Sequence, residues 1–285
     1  MDQPARPYRS VLYIPGSRQR ALEKARDLPA DAIIFDLEDA VAPDEKPAAR
    51  AVLREVLATT DFGARARIVR VNGLDTPWGA EDVAAFAGAD IEALLIPKVS
   101  SAADVQAVAA LAPDLPLWAM METARGMLAA AEIAAHPRLT GMVMGTNDLA
   151  KELGSRFRAD RLPMQAALGL CLLAARAEGL TIVDGVYNAF KDDEGLRAES
   201  VQGRDMGFDG KTLIHPAQLA IANEVFAPLE AEIELARRQI AAFDAAQAAG
   251  QGIAVVDGKI VENLHIFTAR QMLAKAEAIA ALNAG

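Results

Sequence analysis

Two acidic residues, Glu122 and Asp148, each come shortly after an apolar run and lie in a polar turn. Glu122 directly follows the run 117–121, and Asp148 comes shortly after the run 141–144, about one strand and one helix further along. The carboxyl ends of neighbouring parallel strands meet at one edge of a sheet, so both carboxylates are predicted to face a shared mouth. Paired hard oxygen ligands suit Mg²⁺ that also binds waters and substrate oxygens. The spacing therefore predicts a magnesium site formed by these two residues.

An earlier apolar segment, 32–39, also ends in acidic residues. Asp36 and Glu38 are two positions apart and would share one face of a strand, from which they could hold the waters of a bound metal. Helix capping and surface charge are the alternative interpretation, which fits Asp39 best.

Arg70 lies inside the apolar segment 67–73. An arginine in such a strand is expected to pair with a carboxylate, because an unpaired buried charge is costly. Its partner is either an acid of the protein or a substrate carboxylate that the planar guanidinium holds at two points. The substrate is the favoured interpretation.

Basic residues cluster directly after the first apolar segment, 10–15. The turn Gly16-Ser17 leads there into a predicted helix that carries Arg18, Arg20, Lys24 and Arg26. A helix start with several cations nearby can bind phosphates. A solvated helix face explains the same charges, and the charge pattern alone leaves both interpretations open.

Apolar segments alternate with helical stretches through most of the chain. The eight segments are 10–15, 32–39, 67–73, 93–98, 117–121, 141–144, 181–187 and 208–216. This alternation predicts a parallel α/β sheet, and eight strands favour a closed (β/α)₈ TIM barrel. An open doubly wound sheet is the rival, but no G-x-G-x-x-G fingerprint follows a predicted strand and no P-loop is found.

The last part of the chain breaks this alternation. A helical stretch over about 217–249 is followed by two short apolar runs, 253–256 and 259–261, joined by Asp257-Gly258. That pattern is typical of a β-hairpin, and an amphipathic helix follows over about 264–282. We expect a barrel domain over 1–249 and an extension over 250–285 that serves as a lid or a subunit-exchange arm.

Composition limits the classes of partner. The formal net charge is −10, from 39 acidic and 29 basic residues, which discourages binding to nucleic acid or to anionic membranes. No apolar run approaches the roughly 20 residues that a membrane span requires. The N-terminus lacks the apolar core of a signal peptide, so a cytoplasmic protein is expected.

Cysteine and histidine offer little for catalysis. Cys171, the single cysteine, has apolar neighbours and is expected to be a buried, inert thiol. His136 and His265 lack the spacing of zinc ligands. His215, at the end of the last apolar segment, is more often a packed structural residue than a catalytic base.

These motifs together resemble the citrate lyase β-subunit/HpcH–HpaI aldolase superfamily, in its CoA-ester branch of malyl-CoA lyases and relatives. The segments on which the resemblance is based occur in the same order as in the family and span nearly the whole chain. They are Tyr13-Ile14-Pro15-Gly16-Ser17-Arg18, Phe35-Asp36-Leu37-Glu38-Asp39-Ala40-Val41, Arg70-Val71-Asn72-Gly73, Ile96-Pro97-Lys98, Met121-Glu122-Thr123-Ala124, Gly145-Thr146-Asn147-Asp148-Leu149 and Ile214-His215-Pro216.

The resemblance implies a role for each candidate residue. Glu122 and Asp148 match Mg²⁺ ligands, and Arg70 matches an arginine that grips the carboxylate of the malyl or glyoxylate unit. The other matches are Asp36 and Glu38 to acids that hold the metal's waters, Tyr13, Arg18 and Lys24 to CoA contacts, and Ile214 and His215 to a loop at the thioester end of the ligand. The family forms trimers or hexamers of (β/α)₈ barrels whose C-terminal arm covers a neighbour's site.

One departure bears on the reaction. The lyases typically carry Asp after the lid hairpin, as an acid/base that acts from the neighbouring subunit, whereas this chain has Glu262. A shift of about 1 Å can change catalysis roughly a hundredfold. Within the branch, the resemblance favours hydrolysis of (3S)-malyl-CoA to malate and CoA. A lyase for malyl-CoA or citramalyl-CoA is the alternative, and a CoA-ester-binding subunit like that of citrate lyase is the rival of another class.

Overall fold

Eight parallel strands form a closed barrel in the computed structural model, which describes residues 6–284. Each strand pairs with the next along the chain, and the last pairs with the first. The strands are β1 (Ser10–Pro15), β2 (Ala32–Asp36), β3 (Ala66–Arg70), β4 (Ala93–Ile96), β5 (Leu117–Met121), β6 (Leu139–Met144), β7 (Thr181–Asp184) and β8 (Gly210–Leu213). The predicted (β/α)₈ barrel is confirmed, and the open doubly wound sheet is excluded.

Helices connect the strands. They are α1 (Gln19–Ala25), α2 (Lys46–Thr59), α3 (Gly79–Phe86), α4 (Ala102–Leu111), α5 (Ala124–Leu128), α6 (Ala130–Ala134), α7 (Thr146–Leu153), α8 (Leu162–Ala177), α9 (Asp193–Met206) and α10 (Leu219–Val225). In α2, the buried residues Ala49, Leu53 and Val56 are three or four positions apart, the spacing of one helix face. Such faces cover the outside of the barrel.

Strand residues alternate between the barrel interior and the helix layer, and both sides are buried. Ile34 and Ile68 belong to the interior cluster, whereas Phe35 and Val69 pack in the outer one. Asp36 and Arg70 each lie two positions beyond an interior residue. The strand period therefore turns both charged side chains toward the inside, at the carboxyl end of the barrel.

Strand β2 ends earlier than predicted, and Asp36 itself ends it. Its Oδ1 accepts the N–H of Glu38 at 2.9 Å and its Oδ2 accepts the N–H of Ala40 at 3.0 Å. These bonds fold the backbone into a turn. Glu38 therefore lies in the loop, and the two-residue strand period used to place it beside Asp36 does not apply.

A charged cluster is buried between the barrel wall and the helices. The Lys211 ammonium, with no exposed side-chain area, lies 3.2 Å from Asp184 and 2.7 Å from Glu199, while Arg161 bonds both oxygens of Asp184 at 2.7 and 2.8 Å. Burial works to raise the pKa of Asp184, but the charges of Lys211 and Arg161 outweigh it and lower that pKa. Asp184 is therefore held as a carboxylate.

The described residues divide into two compact units. One is the barrel, Tyr8–Phe226, and the other contains α11 (Glu230–Ala248), the antiparallel hairpin β9 (Ala254–Val256) and β10 (Lys259–Val261), and α12 (Asn263–Ala284). The predicted hairpin and final helix are thus present. However, α11 belongs with them and not with the barrel domain of 1–249, because Phe243 and Ala246 on α11 pack with residues of the hairpin and of α12.

The structure also bears on the single cysteine and on membrane-spanning helices. Cys171 is a buried free thiol, and burial raises its pKa to about 12, which makes it a poor nucleophile. Within residues 6–284, no helix combines the length and the apolar character needed to cross a bilayer.

Candidate active site

The Glu122 side chain extends from the end of β5 toward the end of β6. A Cβ atom at Gly145 would collide with the Glu122 side chain, so the glycine leaves the space that this side chain occupies. Glu122 is 3% exposed, and its Oε1 accepts the backbone N–H of Lys98 at 2.8 Å. Burial raises the pKa of Glu122 to about 7, and the negative charge of Asp148 adds to the effect.

Asp148 lies in the first turn of α7 and is half-buried. Among the described residues, its carboxylate has no hydrogen-bond or ion-pair partner, and Oε2 of Glu122 accepts no hydrogen bond. Two neighbouring carboxylates with unused oxygens suit a hard divalent cation. Within residues 6–284 no cluster of three His, Cys, Asp or Glu residues could hold a metal, so the pair would leave the remaining positions to water and substrate.

Arg70 bonds a carboxylate of the protein at two points. Its Nε and Nη2 donate to Asp36 at 2.7 and 2.6 Å, and its Nη1 lies 2.9 Å from Glu38. Of the two partners considered from the sequence, a protein acid and a substrate, the structure contains the first. The sequence favoured a two-point contact with a substrate carboxylate, whereas in the structure that contact is made with Asp36.

The hydrogen-bonding capacity of Asp36 is used within the protein. Each of its oxygens accepts one backbone N–H and one N–H of Arg70, which matches the roughly four acceptor sites of a carboxylate. A metal-bound water could reach Asp36 only by replacing one of these donors. The geometry instead makes Asp36 the group that orients Arg70.

Glu38 keeps a position at the mouth, with a side chain that is 10% exposed. It lies between Arg70 Nη1 and the ammonium of Lys98, whose Nζ donates to Oε1 at 2.5 Å. Burial raises the pKa of Glu38 in spite of these two cations, and the adjacent Asp39 contributes to the rise. A carboxylate with a raised pKa is a stronger base than an ordinary one, which suits it to take a proton from water.

Tyr13 faces the same interior space. Its ring packs against the Arg70 guanidinium, with 5.1 Å between the guanidinium carbon and the ring centre. Burial raises the pKa of the Tyr13 hydroxyl, which therefore remains protonated. Tyr13 thus lies beside the carboxylates of the site, and its contact with CoA stays a prediction.

Two lysines, neither of them predicted as a site residue, hold the acids and the loop of the site. Lys98 bonds both Glu122 and Glu38. Burial works to lower the pKa of its ammonium, but the hydrogen bond to Glu38 and the negative charges of Glu38, Asp39 and Glu122 together outweigh burial and raise that pKa. Lys46 is buried and donates to the carbonyls of Leu37 and Glu38, at 3.0 and 2.7 Å, which fixes the loop after β2. Lys98 belongs to the family-like segment Ile96-Pro97-Lys98, but its contacts depend on a backbone conformation that the sequence does not reveal.

Loops after β1 and β8 hold the predicted CoA contacts. Arg18 directly precedes α1, Lys24 lies in its last turn, and both are exposed. Ile214 and His215 follow β8, which neighbours β1. His215 is exposed; it accepts the N–H of Ala217 at 3.1 Å, and its ring stacks on that of Phe190 with 4.6 Å between the ring centres. These contacts would suit a structural histidine and a catalytic one alike. The CoA roles of these residues remain predictions.

Glu262 belongs to the second unit, directly after β10. Its side chain is exposed, and its backbone N–H donates to Nδ1 of His265 at 3.1 Å. Its position after the hairpin is as predicted, and its catalytic role stays a prediction.

Known proteins resemble this chain over its full length. A protein of Cereibacter sphaeroides named (3S)-malyl-CoA thioesterase is 78% identical over 284 residues, with complete coverage of both chains. The L-malyl-CoA/beta-methylmalyl-CoA lyase of the same organism is 39% identical, covering 98% of this chain and 97% of its own. The CitE protein of Mycobacterium tuberculosis, solved with magnesium, acetoacetate and coenzyme A, has a TM-score of 0.80 and 34% identity, covering 96% of this chain and all of that one.

The family assignment rests on the same region that forms the barrel. The sequence model of HpcH/HpaI aldolase/citrate lyase matches residues 9–216, which run from the start of β1 to just beyond β8. With this match and the full-length relatives, the chain belongs to the HpcH/HpaI aldolase/citrate lyase family.

Proposed function

We propose that this protein hydrolyses (3S)-malyl-CoA to (S)-malate and CoA in a Mg²⁺-dependent site. The observation that carries the proposal is the 78% identity, over the full length, to a protein named (3S)-malyl-CoA thioesterase. The barrel mouth supports it, since it brings together acids and cations suited to an anionic substrate.

We assign the metal to Glu122 and Asp148. Their unused oxygens and their mutual repulsion, which contributes to the raised pKa of Glu122, favour a divalent cation between them. Solved relatives in the family contain magnesium. When bound, Mg²⁺ would polarise substrate oxygens and offset negative charge that develops during the reaction.

Arg70 supplies positive charge next to this pair. Asp36 fixes its guanidinium at two points, and the ring of Tyr13 packs against it. The planar group is therefore held ready to bind the malyl carboxylate, through Nη1 or by exchange with a protein acid. Such preorganisation places the substrate before any proton moves.

Hydrolysis then needs a base for water. The water oxygen bonds the thioester carbon, the carbon–sulfur bond breaks, and the leaving sulfur takes up a proton as the CoA thiol. Glu38, buried and with a raised pKa, can accept the proton of the attacking water. Glu262 is the second candidate for this step.

The CoA part of the substrate would bind outside the barrel. Its phosphates need local positive charge in a chain of net charge −10, and Arg18 and Lys24 provide exposed cations near the mouth. The neighbouring loop with Ile214 and His215 would border the thioester end. Magnesium and a CoA thioester are thus the proposed cofactor and partner.

The second unit is proposed to act as a lid in a homotrimer or homohexamer in the cytoplasm. Six large apolar side chains among the described residues of this unit are roughly half exposed or more: Leu229, Ile253, Val255, Ile260, Leu264 and Phe267. Exposed apolar patches of this kind mark contact surfaces. Contact with a neighbouring copy would cover them and bring Glu262 toward that copy's mouth.

Cleavage of malyl-CoA or citramalyl-CoA to acetyl-CoA and an oxoacid is the second candidate, favoured by the 39% identity to a lyase. The two reactions differ in products. Purified protein would be incubated with (3S)-malyl-CoA and Mg²⁺, and free thiol and malate compared with acetyl-CoA and glyoxylate. Thiol and malate in equal amounts support hydrolysis, whereas acetyl-CoA and glyoxylate as main products contradict it.

A further inference from the structure

Lys98 links two acids of the site through two different groups. Its backbone N–H donates to Oε1 of Glu122 at 2.8 Å, and its ammonium donates to Oε1 of Glu38 at 2.5 Å. These acids come from different strands, Glu38 from the loop after β2 and Glu122 from the end of β5. One residue after β4 thus fixes carboxylates on both sides of it.

The backbone of Lys98 adopts an unfavourable conformation. Its φ angle is +51°, a value that glycine accepts without strain but that other residues rarely take. Non-glycine residues persist in this region where the surroundings require them, often at functional sites. A glycine could supply the same backbone N–H to Glu122, so the lysine side chain must account for the residue that is present.

The side chain has a definite task at this position. Glu38 lies between two cations, because Oε2 faces Nη1 of Arg70 at 2.9 Å and Oε1 accepts from Lys98. Arg70 is itself fixed by Asp36. Oε2 of Glu38 also accepts the backbone N–H of Asp39 at 3.0 Å. Without the ammonium, Oε2 would keep Arg70 and Asp39, but Oε1 would lose its donor and the carboxylate could turn about the oxygen that is still held.

We propose that Lys98 is a positioning residue that acts through Glu38. Its ammonium sets the orientation of the Glu38 carboxylate, while its backbone N–H holds one oxygen of Glu122 and leaves the other without a hydrogen bond among the described residues. This inference rests on the proposed function in one respect, which is that Glu38 takes part in turnover.

The first test replaces the ammonium without shortening the side chain. Lys98→Met should lower kcat about 10- to 100-fold with little change in KM, the usual effect of losing a group that orients a catalytic residue. Lys98→Arg should recover part of the loss, because it restores a cation next to Glu38. Lys151→Met, an exposed lysine on α7, is the matched control and should leave kcat unchanged.

A double-mutant cycle tests the route through Glu38. If Lys98 acts through that residue, the variant with both Lys98→Met and Glu38→Gln should be no slower than Glu38→Gln alone. Losses that multiply would overturn the proposal, as would an unchanged kcat in Lys98→Met. The cycle is measured on whichever product the wild type forms, and the same cycle on the melting temperature tests the contact without turnover.

Two further experiments each include a readout that does not depend on activity. Lys98→Gly should melt no lower than the wild type, since the strain is relieved, and yet lose kcat as Lys98→Met does. Mn²⁺ binding, followed by electron paramagnetic resonance, should be at least as tight in Lys98→Met as in the wild type, because the N–H to Glu122 remains and a nearby positive charge is gone. Weaker Mn²⁺ binding in proportion to the lost kcat would show that Lys98 acts through the metal, against the proposal.

Discussion

Arg70 and Asp36 lie directly opposite each other on neighbouring strands and join at two points, with distances of 2.7 and 2.6 Å. The same kind of pair occurs at the opposite end of the barrel. Arg9, just before β1, donates Nε and Nη2 to Asp31, just before β2, at 2.9 and 2.7 Å. One buried pair lies at the mouth and the other at the closed end, so they provide a matched comparison.

Arg70→Lys is expected to lose roughly a hundredfold in kcat/KM, because a single ammonium cannot reproduce a planar two-point contact and the site shifts. Both variants weaken a buried two-point ion pair, so their melting temperatures should fall by similar amounts. Arg9→Lys, far from the mouth, should nevertheless keep the wild-type kcat/KM. Steady-state kinetics and thermal unfolding of both variants check this. An unchanged kcat/KM in Arg70→Lys would mean that Arg70 only pairs with a protein acid.

Removal of either proposed metal ligand should abolish turnover and leave the fold intact. Glu122→Ala and Asp148→Ala are each expected to lose at least about a hundredfold in kcat, the scale of losing a charge-stabilising group. Their melting temperatures without metal should not fall much, because the two carboxylates repel each other. Chelation by EDTA should stop the wild type, and added Mg²⁺ should restore it. Full activity in EDTA or in Asp148→Ala would contradict the assignment.

Glu262→Asp should shift the ratio of glyoxylate to malate formed from malyl-CoA, since the change moves the carboxylate by about the length of a bond. Mixing Glu262→Ala chains with Arg70→Ala chains should restore some activity if the second unit acts on a neighbouring copy. Remixed Arg70→Ala chains alone serve as the control. No rescue in proven hybrid oligomers would place Glu262 over its own barrel.

Asp184→Asn should destabilise the protein by about 3–5 kcal/mol at pH 7, because it removes the buried carboxylate that Lys211 and Arg161 share and leaves Glu199 as the one acid beside two buried cations. The pKa of Asp184 is lowered in the folded state, so its contribution is full above the unfolded value of about 3.9 and is lost as pH falls through the folded value. Chemical denaturation at several pH values should show the difference from wild type shrinking below about pH 4. Glu224→Gln, in an exposed pair with Arg197, is the control and should change little. A constant difference at all pH values would contradict the linkage.

The barrel and the nearness of Glu122 to Asp148 could be predicted from the sequence, because both depend on local patterns. Apolar runs of strand length mark β5 and β6, and parallel topology then brings Glu122 and Asp148 to one mouth. The partner of Arg70 could not be predicted, since it depends on register. Only the pairing of β2 with β3 sets Asp36 opposite Arg70, whereas the sequence alone favoured a substrate carboxylate as the partner.

Two other features lay beyond sequence reasoning for similar reasons. The contacts of Lys98 depend on a left-handed backbone conformation. A glycine in a sequence suggests that conformation, but a lysine does not. The limit of the barrel unit was misplaced because α11 has the composition of an ordinary barrel helix. Its partners, the hairpin and α12, come later in the chain, and only the packing around Phe243 reveals the association.

Closure of the barrel by its last strand also determines how the chain must fold during synthesis. Strand β8 pairs with β7 on one side and with β1 on the other, which joins Lys211 to Ser10. Until β8 leaves the ribosome, β1 and β7 present open edges that can pair with other chains, and Asp184 lacks its lysine. Contacts between such distant parts of a chain form slowly. These two edges therefore lack their partner strand until residues 210–213 emerge.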